Sequence, residues 1–299
     1  MGVIPDLRGQ LHRFAWATLI ANVVLVVTGG AVRLTGSGLG CPTWPQCKGD
    51  AFTPRHSLSI HSAIEFGNRS LTFVLVVIAV LTFVAAHQAA KRDGRRELRT
   101  VALIIALGIP AQAVIGGITV LTDLNPWIVS FHLLCSLAII ALSVLLLRLV
   151  DTGAPLPAPS APRPVLALSW ATFAAAWAVL YVGTVVTGAG PHAGDEKAPR
   201  NGLSPLQTAQ LHADLVFLYV GLTVGLLAVL AATHARPQAV RAVQVLLAVE
   251  LAQGAIGFVQ YFTHVPVVLV GFHMLGAAVI MATTTWAVLV TREGDRKAG

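Results

Sequence analysis

Gln112-Ala-Val-Ile-Gly116 leads through an apolar run to Phe131-His132, and Gln253-Gly-Ala-Ile-Gly257 leads through another to Phe272-His273. In both stretches the histidine follows the glutamine by 20 residues. The chain therefore reads as a duplication, each copy carrying an imidazole into a segment apolar enough to enter a bilayer. A polar ring there is costly unless it meets a partner, so two at matched positions point to function.

Around these stretches the composition fixes the class. Of 299 residues, 56% are hydrophobic and 11% charged, and the mean hydropathy is +0.76. Those values exclude an ordinary soluble domain. Apolar runs of about 20 residues, enough to cross a hydrocarbon core of about 30 Å, recur near 11–34, 60–87, 101–121, 127–149, 165–187, 206–233, 241–261 and 266–290. The expected fold is an all-α integral membrane protein of eight transmembrane helices in two pseudo-symmetric four-helix bundles. The first run reads as a span rather than a cleavable signal: it is long and continues into Gly29-Gly30 and Arg33 without a small-residue cleavage pattern.

Charge supplies an orientation. Lys91, Arg92, Arg95, Arg96 and Arg99 follow the second span, Arg163, Arg236 and Arg241 follow the fourth and sixth, and Arg292, Arg296 and Lys297 lie in the tail. The turns around Asp123 and His264 carry no Lys or Arg, and the longer loops on that side hold only Lys48, Arg55, Lys197 and Arg200. The positive-inside rule then puts both termini in the cytoplasm of a multi-pass cell-membrane protein. This bias accounts for the net charge of +7 without a nucleic-acid partner.

The Pro/Ala-rich stretch 151–164 reads as a cytoplasmic linker between an N-terminal half (1–150) and a C-terminal half (165–299). Ser169-Trp-Ala-Thr172 echoes Ala15-Trp-Ala-Thr18, and Val182–Gly190 echoes Gly29–Gly38. Each half has an even number of spans, so the repeat is parallel, with its axis along the membrane normal.

In the second half, His212 opens the sixth span at about the depth of His273 in the eighth. Two imidazoles from facing helices suit the axial positions of a low-spin, electron-transferring haem; the plainer alternative is two hydrogen-bonded interface histidines. In the first half His132 is the clear ligand. The ungapped match places Asn68 where His212 stands, and His61 lies about two turns earlier, roughly 10 Å along the helix. Either His61 reaches the iron or the second position is open or weakly held. His56 reads as a loop-end residue. Glu65, within Ile64-Glu-Phe-Gly-Asn-Arg69, is neutral, ion-paired with Arg69 or functional, since a carboxylate near a reactive edge can move protons. Cys41 and Cys47 share one outer loop on the oxidising side and read as a small disulfide staple, with thiol relay as the functional alternative. Cys135 reads as packing, and Pro110 as a kink.

The chain resembles the haem A synthases of cytochrome oxidase assembly. The resemblance rests on Thr28-Gly-Gly-Ala-Val-Arg-Leu-Thr-Gly-Ser-Gly-Leu-Gly-Cys41 with Trp44-Pro-Gln-Cys47, on Ile64–Arg69, on the Gln112-to-His132 segment and on the half carrying His212 and His273. It implies eight spans in two halves, haem b held by His212 and His273, and haem O as substrate held on His132. It further implies conversion of a ring methyl of haem O to a formyl group by successive hydroxylations. Glu65 matches the family's glutamate, and Cys41 and Cys47 match its cysteine pair. Where the family has a histidine three residues after that glutamate, this chain has Asn68. The resemblance makes haem b a relay for the electrons removed, with a haem O synthase as substrate donor, membrane lipid around the bundle and an electron acceptor outside the chain. Arg33 and Arg69, near the outer ends of spans one and two, would either pair with haem propionates or snorkel. Two other readings compete: a non-catalytic di-haem electron carrier and a parallel-repeat transporter with proton-linked histidines. Gly36-Ser-Gly-Leu-Gly40 follows a membrane helix, not a strand, so it is no dinucleotide fingerprint.

Overall fold

The computed structural model describes residues 6–47, 51–53, 59–153, 156 and 158–293. His56, Lys48, Arg55, Arg296 and Lys297, with three positions of the linker, lie outside the described residues. After a short 3-10 turn the chain forms α1 (Leu11–Leu34), α2 (Ile60–Asp93), α3 (Arg96–Leu121), α4 (Pro126–Thr152), α5 (Arg163–Ala189), α6 (Pro205–Ala232), α7 (Pro237–Phe262) and α8 (Val267–Thr291). All eight are long and apolar enough to cross a membrane. The protein is all-helical and multi-pass, and each helix lies on a predicted span, α6 and α8 to within one residue at one end.

Several helices outrun the apolar stretches. The second ends at Asp93 rather than near residue 87, and the third begins at Arg96 rather than 101. Hydropathy sees only the hydrocarbon-facing part, while backbone hydrogen bonding continues into the polar interface. The ends are set locally. Pro126, Pro205 and Pro237 each open a helix, where a missing N–H costs nothing. The Ser59, Asn125 and Ser204 side chains accept from the first-turn N–H groups of Ser62, Trp127 and Gln207. Pro110 lies inside an α3 that continues unbroken.

Each half closes into a ring. Helix α2 packs on α1 and α3, and α4 on α3 and α1; likewise α6 packs on α5 and α7, and α8 on α7 and α5. The diagonal partners α2/α4 and α6/α8 do not approach within 8 Å between Cα atoms. The seam between halves is made by α1 and α4 against α8, and α4 against α5. Its core includes Val26, Leu137, Ile140, Leu180, Ala278 and Met281. Exposed Phe73, Val77, Leu107, Phe217 and Leu251 face outward, as lipid contact requires. The tight α3–α4 and α7–α8 turns share an unusual backbone: Asp123 and Leu124 have φ of 52° and 59°, and His264 and Val265 have 62° and 59°. Two successive left-handed residues are costly for leucine and valine, so their recurrence at matched turns is a further trace of the duplication.

Candidate haem-binding site

The paired glutamine and histidine explain one another in three dimensions. Gln112 Nε2 donates to the His132 carbonyl at 3.0 Å and to Ser136 Oγ at 2.5 Å, and Gln253 Nε2 donates to the His273 carbonyl at 2.8 Å. The 20-residue spacing is what a short-turned helical hairpin needs to bring these atoms level. The glycine four residues after each glutamine then provides room. A Cβ on Gly116 would stand 3.3 Å from His132 Cε1, and one on Gly257 would stand 3.3 Å from His273 Cε1. His212 has the same shelf on the preceding helix, where a Cβ on Gly183 would come to 3.1 Å. These glycines belong to quoted motifs, yet their role was not legible without the pairing of helices.

His212 and His273 face each other across the diagonal of the second ring, with centroids 6.4 Å apart and ring planes 70° to each other. Two imidazoles sharing one metal, each nitrogen about 2 Å from it, stand with their centroids a little over 6 Å apart. Both Nδ1 atoms are buried and close no hydrogen bond, and the same holds for His132 Nδ1; the Val179 backbone lies beside the His212 ring. Among the described residues no three His, Cys, Asp or Glu side chains gather as a protein-made metal cage. A pair of opposed imidazoles between apolar helices fits a group that brings its own equatorial ligands, as haem does.

The first ring is different. Among the described residues no second aromatic ring stands against His132. Asn68 accepts from the Thr28 hydroxyl of α1 at 2.8 Å, and His61 is exposed at the head of α2 with Nδ1 3.0 Å from Ser37 Oγ. Glu65, 4% exposed, accepts the Cys41 N–H at 2.7 Å and pairs with Arg69 at 2.5 Å. Arg69 also donates to the carbonyls of Cys41, Thr43 and Gln46. Cys41 and Cys47 form a disulfide, and Trp44 between them lies on Gly117 of α3, a position without room for a Cβ. The Glu65–Arg69 pair thus clamps the cystine loop over the end of the ring where α2 begins and α3 finishes. Arg33 reaches the other half, donating to the His192 carbonyl at 2.6 Å and the Thr187 carbonyl at 2.8 Å. Arg33 spends its donors on backbone carbonyls, and Arg69 divides its donors between carbonyls and the Glu65 carboxylate. Cys135 is a free, half-buried thiol.

A buried cluster escaped the sequence reading. Glu250, midway along α7 and 3% exposed, accepts from Thr223 Oγ1 at 2.7 Å, and Tyr219 Oη lies 2.5 Å from Thr284 Oγ1. A lone acidic residue in an apolar span was the available signal. Attention to matched positions hid it, because its counterpart in the first half is Ile109.

Comparison with known proteins agrees with this architecture. The family model described as cytochrome oxidase assembly protein matches residues 12–285. The chain belongs to that family. Among curated relatives, it is 30% identical over 128 residues to a haem A synthase of Geobacillus thermodenitrificans, covering 42% of this chain and 38% of the relative. It is 34% identical over 135 residues to one of Bacillus licheniformis (44% and 42%), and 25% identical over 225 residues to one of Staphylococcus epidermidis (70% and 73%). The aligned part spans about two fifths of the length of the first two relatives. Family membership bears out the resemblance carried by the cystine loop, Ile64–Arg69 and the Gln-to-His segments.

Proposed function

We propose that this protein is a haem A synthase, an oxidoreductase that converts a ring methyl of haem O to a formyl group by successive hydroxylations. The observation that carries the reading is the opposed His212–His273 pair, 6.4 Å apart across the second ring, in a chain of this family. His212 and His273 would hold haem b, which supplies one-electron transfer. Gly183 and Gly257 give the two rings their clearance, and Gln253 fixes the backbone of His273.

The substrate, haem O, is assigned to the first ring on His132, whose ring leans on Gly116 and whose carbonyl is fixed by Gln112. Asn68 and His61 are the candidates for its second axial side, and Asn68, turned to Thr28, leaves that side weakly held. An unfilled axial position suits a substrate that must enter and leave. Glu65 is the assigned catalytic carboxyl, positioned by Cys41 and Arg69 at the loop that covers this ring. Arg33 and Arg69 would meet propionates only by exchanging their present carbonyl partners. Replacing a methyl C–H with a C–O bond from water would release two electrons and two protons at each stage; His212 and His273 would hold the haem b that supplies one-electron transfer toward an acceptor outside the chain, and a haem O synthase would supply the substrate. The charge bias of the loops supports both termini in the cytoplasm of the cell membrane.

A second reading, a di-haem electron carrier without catalysis, is favoured by one observation: both Glu65 oxygens are committed to the clamp. Extraction and mass analysis of haems from protein made in cells that also produce haem O separates the two. Haem A or its hydroxylated precursor beside haem b is the expected result. Haem b alone, with haem O available, overturns the synthase.

A further inference from the structure

Glu250 sits where a carboxylate is hardest to keep, in the middle of a membrane-spanning helix and 3% exposed. Its Oε1 accepts from Thr223, while Oε2 is buried and closes no hydrogen bond of good geometry. Tyr219 lies alongside and its hydroxyl meets Thr284, which donates to the Ile280 carbonyl. A Glu250 proton on Oε2 would thus enter a ready chain from carboxyl to phenol to hydroxyl to carbonyl. The duplication supplies a control. In the registers that set His273 on His132 and His212 on Asn68, Glu250, Tyr219 and Thr223 correspond to Ile109, Leu75 and Ala79, which pack together as buried apolar core in the first half. Thr284 alone has a polar counterpart, Ser143 on the Ile139 carbonyl; the carboxyl and the phenol belong to one ring, the ring with the opposed imidazoles.

The groups able to set the charge state of Glu250 are few. Helix α7 packs on α6 and α8. From α6 Tyr219 faces Glu250, His212 lies two turns further out, and Asp214 is exposed and bonded to Gln210. From α8 the titratable side chain is His273. Arg241 and Tyr261 stand near the two ends of α7 itself. Nearby compensation must therefore come from a proton or from charge held between the two histidines. Tyr219 is seven residues from His212, about 10 Å of helix rise. At that separation, one unit of charge changes the proton affinity of a carboxyl about tenfold in a medium of intermediate dielectric.

Resting on the haem reading of this ring, we propose that Glu250 is a proton-binding site coupled to the one-electron redox change of the group held by His212 and His273. When an electron arrives there, Glu250 takes a proton from water, its carboxylate becoming a neutral carboxylic acid. When the electron is passed to the acceptor, the proton leaves. Charge in the apolar ring then stays constant through each electron transfer.

The test is a set of redox titrations of the purified holoprotein, followed at its haem absorbance from pH 5 to 9, for wild type, Glu250→Gln and Tyr219→Phe. In wild type the midpoint potential should fall over part of the range with a slope approaching about 59 mV per tenfold change in proton concentration, the value for one proton per electron. Glu250→Gln should flatten that slope while keeping the low-spin spectrum, and Tyr219→Phe should displace the pH at which the slope breaks. A low-spin spectrum with the same slope in Glu250→Gln overturns the coupling and leaves the haem assignment standing. Absence of a haem spectrum from wild type overturns the haem assignment and this inference with it. Should Glu250→Gln fail to fold, Tyr219→Phe decides, and a break identical to wild type overturns the coupling.

Discussion

Replacing Glu65 with alanine tests both the clamp and the chemistry assigned to this carboxyl. The substitution removes the acceptor of the Cys41 N–H at 2.7 Å and the partner of Arg69 at 2.5 Å. The guanidinium is left with the Cys41, Thr43 and Gln46 carbonyls alone. Breaking a buried ion pair from one side costs about 3–5 kcal/mol. The Arg69 side chain is 21% exposed, so the lower end applies, about 3 kcal/mol against the closed loop. That is about two orders of magnitude in the fraction of time the loop is open. The assay is the rate at which a membrane-impermeant phosphine reduces the Cys41–Cys47 disulfide in intact vesicles, under conditions where opening limits reduction. Glu65→Ala should be reduced about a hundredfold faster, with haem b retained and the product stalled at haem O or its alcohol. Glu65→Gln, which keeps an acceptor for Cys41, should fall between. Reduction of Glu65→Ala at the wild-type rate would refute the clamp, and a normal yield of haem A would remove Glu65 from the chemistry.

Further outcomes follow from the second ring and from the contacts around Glu293 at the end of α8. His212→Ala or His273→Ala should abolish the low-spin spectrum of the tightly bound haem; a full Soret band in either variant removes that residue as a ligand. Gly257→Val should weaken haem retention about tenfold or more while both histidines remain, because overpacking costs about 1–3 kcal/mol, whereas Gly257→Ala asks only a small shift of His273; comparing haem-to-protein ratios after detergent washing checks this. Glu293 lies between Arg148 at 2.6 Å and Arg236 at 3.1 Å; burial pushes its carboxyl up, but the two guanidiniums outweigh that and hold it below its ordinary 4.5. A lowered folded value means the stabilisation is complete above that ordinary value and is lost as pH falls through the folded one. The thermal midpoint in detergent should therefore drop below about pH 4.5 in wild type more steeply than in Glu293→Gln, and parallel curves would contradict it.

The spans were legible because a helix crossing lipid must satisfy its backbone internally and show lipid an apolar surface, and both demands leave long runs in the sequence. The cystine staple was legible too, since Cys41 and Cys47 share one short loop. The destinations of Arg33 and Arg69 were not, because a guanidinium near a helix end serves a propionate, a lipid head or a carbonyl equally well on paper. Only the folded loops show Arg33 bonded to His192 and Thr187, and Arg69 bonded to the cystine loop. The glycine shelves at Gly116, Gly183 and Gly257 stayed hidden for another reason: clearance between helices is a property of pairs. Glu250 was visible as a charge in an apolar run, but a reading guided by repetition passes over what one copy alone possesses.

The glutamine-to-carbonyl bond of each hairpin separates two tasks of the same histidine. Gln112 and Gln253 grip the main chain of His132 and His273 and leave the imidazoles out of the grip. The hairpins α3–α4 and α7–α8 can then close in the bilayer using only groups that the nascent chain carries. The atoms that hold each hairpin together and the atoms each imidazole can offer to a bound group are therefore two separate sets, so a change at one need not rewrite the other.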